Sequence, residues 1–98
     1  MRREIEELLA LGQFPDSRHV QPDVIERQQA LLDLIIPPIS DAEAKELVRL
    51  FGNDEYFGLA WTVLHLIESA PSWPIQDCLG DTSNEWIERL MKRAGRVI

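Results

Sequence analysis

Cys78 directly follows Asp77, and His19 and His65 stand elsewhere in the chain, so the residue types of a Cys/His/Asp nucleophilic site are all present. A thiol becomes a nucleophile when its thiolate is favoured, which takes a helix N-terminus or a cation beside it. Neither stands near Cys78 in the sequence, and the adjacent carboxylate opposes ionisation. The thiol is therefore expected to be a small apolar core group. His65 and Glu68 are three residues apart with Trp61 one turn earlier, which puts all three on one edge of a helix. A metal centre there would need a second histidine at helical spacing or a cysteine pair, and the sequence supplies neither. His65 is expected to be a packed, hydrogen-bonded side chain at the margin of an apolar face.

No phosphate-cradling glycine loop and no nucleophile elbow occurs, so neither catalysis nor a cofactor is expected. The remaining chemistry is that of recognition. Asp54 and Glu55 precede an apolar segment that begins at Tyr56, where an acid stabilises a helix start by about 0.3 to 1 kcal/mol. Together with Tyr56 the same pair forms an acidic and aromatic group suited to a basic partner. Trp73, between Ser72 and Pro74, either staples its loop to the core or presents an aromatic anchor. Asp54, Glu55, Tyr56, Glu68, Trp73 and Asp77 are thus the candidate partner-binding residues, expected on one accessible surface.

Helices must position these groups. Ile5, Leu8 and Leu9 form an apolar stripe that ends at Gly12, which predicts a helix over 2–11. The stretch from Gln13 to Gln21 has no apolar period and reads as a loop pinned by Phe14. Pro22 suits a first helical turn, and Pro37 and Pro38 cannot continue one, so a second helix is expected over 22–36 with Val24, Ile25, Gln28, Leu31, Leu32 and Ile35 inward. Ser40 and Glu43 have the spacing of a capping box and open a third helix over 41–51. Gly52, Asn53 and Asp54 then make a very tight turn into a fourth helix over 55–69.

That fourth helix is apolar nearly all round and is expected at the centre, with Gly58 and Ala60 admitting a neighbouring backbone. It is shorter than the roughly 20 residues of a membrane span. Pro71 to Gly80 is expected to be a structured loop. Thr82 to Glu85 resembles another capping box, before a fifth helix over 83–94 that stops at Gly95. The expected core is Leu31, Ile35, Leu47, Leu50, Ala60, Trp61, Leu64, Ile67, Trp86 and Leu90. Residues 1–98 form one all-α domain, because a chain of 98 residues is too short for two cores.

Seventeen acidic against ten basic residues give a net charge of −7, which disfavours nucleic acid and anionic membranes and favours a basic protein partner. No Lys or Arg occurs from Leu50 to Glu88, so the second half reads as an unneutralised acidic stretch. The lone cysteine and a charged N-terminus without an apolar signal region point to the cytoplasm. Oligomeric state is not legible.

Leu47, Leu50 and Phe51, then Asn53 and Asp54, then Phe57, Ala60, Leu64 and Ile67 resemble one HEAT-type helical hairpin within residues 41–70. Gly58 departs from that pattern at a position often basic, and no second copy follows. In size, helicity and charge the chain is also similar to the small acidic immunity proteins that bacteria make against their own basic nuclease toxins. That resemblance implies an antidote binding through acidic and aromatic residues near helix ends. The first resemblance implies instead an adaptor or regulatory subunit binding through apolar helix faces. A small enzyme using Cys78 or a carboxylate is the third reading.

Overall fold

The computed structural model describes residues 1–75, 79–80 and 83–97, without the side chains of 96 and 97. Five α-helices follow one another, α1 (Arg3–Leu11), α2 (Pro22–Leu34), α3 (Asp41–Leu47), α4 (Leu59–Glu68) and α5 (Glu85–Val97), and no strand occurs among the described residues. The fold is all-α. A Cα radius of gyration of 12.7 Å matches the roughly 13 Å of about 100 residues collapsed around one core.

Local chemistry sets most of these ends. Pro22 occupies the first turn of α2, where its missing N–H costs nothing. The helix stops two residues earlier than the periodicity implies, because Pro37 disfavours helical geometry just before it and Ile35 is already extended. Ser40 and Glu43 form the expected capping box, with the serine oxygen accepting the Glu43 N–H at 3.1 Å and the Glu43 carboxylate accepting the Ser40 N–H at 2.8 Å. α5 is capped by Asn84, whose side-chain oxygen accepts the Trp86 N–H at 2.8 Å. The expected cap at Thr82 lies outside the described residues. Gly95 does not stop α5, which continues to Val97.

The turn between α3 and α4 is longer than the tight one expected. A 3-10 turn (Val48–Leu50) extends α3, and a second (Tyr56–Gly58) precedes α4, so the α4 helix begins at Leu59 and not near Glu55. Three successive residues there have positive φ: Tyr56 at 47°, Phe57 at 56° and Gly58 at 85°. Gly58 therefore serves a left-handed backbone, and a Cβ on it would meet nothing within 4 Å. The close backbone approach expected at Gly58 occurs instead at Gly52, where a Cβ would lie 2.2 Å from the Phe14 carbonyl oxygen.

These elements pack as two antiparallel pairs and one parallel pair. The Arg2 guanidinium at the start of α1 donates to the Ile36 and Pro38 carbonyls beyond α2, at 2.7 Å each. Asp41 at the start of α3 accepts the Ser72 N–H beyond α4 at 3.0 Å. α5 runs parallel to α4, since Arg89 lies over Trp61 and Arg93 pairs with Glu68. The core gathers Ile5, Leu8, Phe14, Leu31, Leu47, Phe51, Tyr56, Leu64, Ile67, Trp86 and Leu90 among others. Of the expected core, Trp61 is the exception, 37% exposed at the edge of α4 that faces α5. A helix apolar on most sides does not reveal which aromatic edge is left out.

Three substitutions test this packing by chemical denaturation. Leu64→Ala removes a fully buried side chain and is expected to cost about 2 to 5 kcal/mol. Gly52→Ala forces a Cβ onto the Phe14 backbone and is expected to cost about 1 to 3 kcal/mol. Gly95→Ala, in open helical space, should be neutral or stabilise by up to about 1 kcal/mol. Equal stability of the two glycine variants would refute the close approach.

Candidate interaction surface

Asp54 organises one end of the α3–α4 hairpin. Its Oδ2 accepts the Ser17 N–H at 3.1 Å and the Ser17 hydroxyl at 2.8 Å, which draws the loop between α1 and α2 onto the turn. Its Oδ1 accepts the Tyr56 N–H at 2.9 Å. Its backbone carbonyl accepts the Trp86 indole N–H at 2.9 Å, which fixes the start of α5. Nearby, the Phe51 carbonyl accepts from Gln13 at 2.7 Å and from Asn84 at 3.1 Å. Two segments distant in sequence, 13–17 and 84–86, are thereby held around residues 51–54.

This junction carries two adjoining clefts that share Asn53 and Glu85 as walls. The larger, about 430 Å3, is polar and is lined by Gln13, Phe14, Asp16, Gly52, Ser83 and Asn84 besides the shared pair. The smaller, about 230 Å3, adds Asp54, Glu55, Trp61, Trp86 and Arg89. Its aromatic wall is a corner, because Trp61 and Trp86 meet edge to face with centroids 5.1 Å apart and planes at 90°. The Arg89 guanidinium sits in that corner, 4.3 Å from the Trp86 centroid and 5.0 Å from that of Trp61. Glu85, one turn earlier on α5, holds it at 3.1 Å. A cation–π contact at an exposed place is worth about 0.5 to 1 kcal/mol and an exposed helical ion pair about 0.3 to 0.5 kcal/mol, so the guanidinium is lightly held.

The six candidate residues do not form one patch. Asp54 and Glu55 lie at this end. Trp73, half-buried against the core, follows Ser72 at the opposite end of the hairpin beside Asp41, so it staples its loop there. Tyr56 is wholly buried: its ring stacks on Phe14 at 4.8 Å, and its hydroxyl donates to Gln28 at 2.5 Å. An aromatic residue after two acids reads as a surface anchor, but the left-handed turn swings it inward. Glu68 is bound on both oxygens by Arg93, at 2.6 and 2.8 Å, and braces α4 to α5. Asp77 lies outside the described residues, as does Cys78.

The acidic stretch is likewise less bare in space than along the chain. α5 brings Arg89 to Glu85, Lys92 to Glu88 and Arg93 to Glu68. Glu55 remains exposed and without an ion pair among the described residues. Two residues of this surface are not legible as such in the sequence: Trp61, whose apolar neighbours place it in the core, and Arg89. Their i, i+3 and i, i+4 neighbours were visible, but the contact between two helices was not. The expected edge of Trp61, His65 and Glu68 does form, with ring centroids of Trp61 and His65 6.4 Å apart and His65 Nδ1 3.6 Å from Glu68.

Two of the carboxylates here, Asp16 and Asp54, are fixed negative charges. Hydrogen bonds from Arg18 hold Asp16 well below the usual range, at about 2. The Ser17 hydroxyl, with the Ser17 and Tyr56 N–H groups, likewise lowers the Asp54 pKa. Neither can carry a proton near neutrality. No cluster of three metal-ligating side chains occurs among the described residues, and no described helix is long and apolar enough to cross a membrane. Compared with protein-family models, curated proteins and solved structures, the chain finds no match in any of the three.

A carboxylate whose folded pKa is depressed contributes stability that is complete above its unfolded pKa of about 4 and is lost as pH falls through the folded value. Asp54→Ala is expected to cost about 1 to 3 kcal/mol at neutral pH through lost charged hydrogen bonds. That deficit relative to the parent chain should shrink below about pH 4, as the parent's Asp54 protonates. Denaturant unfolding across acidic pH measures both, and a deficit independent of pH would dissociate it from Asp54 ionisation.

Proposed function

We propose that the chain is a non-catalytic protein-binding module whose Asn53–Glu55 end engages a basic protein. The finer reading is an immunity-type antidote, present in the cytoplasm, that covers the nucleic-acid site of a nuclease toxin. The observation that carries it is the pair of clefts at that end, where Asp54, Glu55 and Glu85 stand with the Arg89 guanidinium beside a tryptophan corner and Asp16, paired with Arg18, lines the adjoining cleft. Ionised carboxylates around an aromatic wall suit lysine and arginine side chains, and the net charge of −7 steers such a partner at long range. Nucleic acid, with its dense phosphates, is repelled by the same field.

An adaptor that binds through apolar helix faces has less support. Leu59, Ala60, Val63, Leu64, Leu66 and Ile67 of α4 are all turned into the core, and the exposed large apolar residues are divided among separate elements.

The test uses Asn53→Lys/Glu55→Lys, since both side chains are exposed and make no hydrogen bond among the described residues. With the partner recovered by affinity to the chain and purified, association should slow by about tenfold or more in the variant and should fall with salt in the parent. Thermal unfolding of the variant should be unchanged. A partner without a basic surface, or an association rate indifferent to both salt and substitution, would refute the reading.

A further inference from the structure

We infer that the Trp61–Trp86 corner is a receptor for an arginine side chain of the partner and that Arg89 fills it in the partner's absence. This deepens the basic-partner reading and rests on it for the identity of the arginine's owner. A ligand's chemistry can be read from what occupies a slot, and the occupant here is a guanidinium seated 4.3 Å and 5.0 Å from two indole centroids. The corner is built independently of that occupant. Trp86 is fixed by its indole N–H to the Asp54 carbonyl at 2.9 Å and lies nearly parallel to Phe51, at 13°. Asp54 is itself held by Ser17, so the Trp86 side of the corner is held by contacts that do not involve Arg89.

Displacement is possible because Arg89 is lightly held. It has one carboxylate partner among the described residues, Glu85 at 3.1 Å, and an arginine that replaces it meets the same Glu85, Asp54 and Glu55 walls. The released Arg89 side chain, already about one-third exposed, passes to solvent without burying an unpaired charge. A planar guanidinium lies flat on an indole face and bonds a carboxylate at its edge. A lysine ammonium offers a point charge without that plane, so the slot discriminates between them. Arg89 thus acts as a tethered competitor that admits arginine in preference to other side chains.

The probes are N-acetyl-arginine amide and N-acetyl-lysine amide, titrated by following the indole N–H resonances of Trp61 and Trp86. Arg89→Met keeps much of the apolar stem and removes the guanidinium. It should bind the arginine probe more tightly than the parent does, by about tenfold or more, the competition expected of two exposed cation–π contacts and one surface ion pair. The lysine probe should gain less, and adding Trp61→Ala should abolish the gain. No gain, or an equal gain for both probes, would overturn the inference, since loss of a positive charge alone favours any cation. A variant-free measurement guards against misfolding: saturating arginine probe should move the Arg89 side-chain N–H resonance of the parent toward its solvent value, and an unmoved resonance would overturn displacement. The small probes involve no protein partner, so these results stand apart from the salt and charge-reversal test of the basic-partner reading.

Discussion

The hydrogen bonds of Asp54 are the constraint on which the arrangement of this protein's open end depends. Helix packing alone would leave three chain segments loosely adjacent there. The carboxylate takes two donors from Ser17 and one from Tyr56, and the carbonyl of the same residue takes the Trp86 indole. A side chain and its own main chain thereby set the loop after α1, the approach to α4 and the start of α5 relative to one another. The left-handed turn that follows is costly for Tyr56 and Phe57, because non-glycine residues at positive φ are crowded. Burial of Tyr56 between Phe14 and Gln28 offsets that cost, whereas Phe57 is 58% exposed and gains no comparable packing.

What the sequence reveals and what it hides divide along the range of the interactions. The capping box at Ser40 and the proline limits of α2 act within four residues, and both are legible. Gln28 on an otherwise apolar stripe was also a signal, since a buried amide requires a polar partner, yet its partner Tyr56 lies 28 residues away. The start of α4 was hidden for a different reason. Tyr56 and Phe57 continue the apolar pattern of the helix, and a count of residue types does not register backbone handedness. Gly58 was the available cue, and it reads equally as a close-packing glycine. Trp61 was misplaced because a helix apolar on nearly every side has no stripe to orient it.

Charge behaves in the same way. A run without lysine or arginine is a statement about the chain, whereas electrostatics depends on distance. Arg93 reaches Glu68 across 25 residues, and α5 delivers Arg89 and Lys92 to its own acids one turn away. These local pairs change little in the net charge of −7, which governs long-range attraction. They do concentrate the unpaired charge. In the proposed reading, attraction at a distance and recognition at contact are consequently assigned to different groups: the whole acidic surface for the first, and Glu55 with the tryptophan corner for the second.

The two ends of the α3–α4 hairpin differ in a way that favours the proposed recognition at one and not the other. Each is built on a carboxylate that captures a segment nearer the N-terminus. At the α3 start, burial pushes the Glu43 pKa up, but the N–H groups of Ser40 and Arg2 and the Arg2 guanidinium outweigh it and hold the group ionised. The same guanidinium spends its other nitrogens on the Ile36 and Pro38 carbonyls, so charge and backbone are satisfied together and the end is sealed. At the Asp54 end the captured donors are a neutral hydroxyl and amides. They fix the carboxylate without an ion pair of its own, the Arg18 guanidinium of the same loop being paired with Asp16, and Glu55 beside it has no ion pair among the described residues. One architectural device therefore closes the hairpin where its donor is arginine and leaves it electrostatically open where its donor is serine.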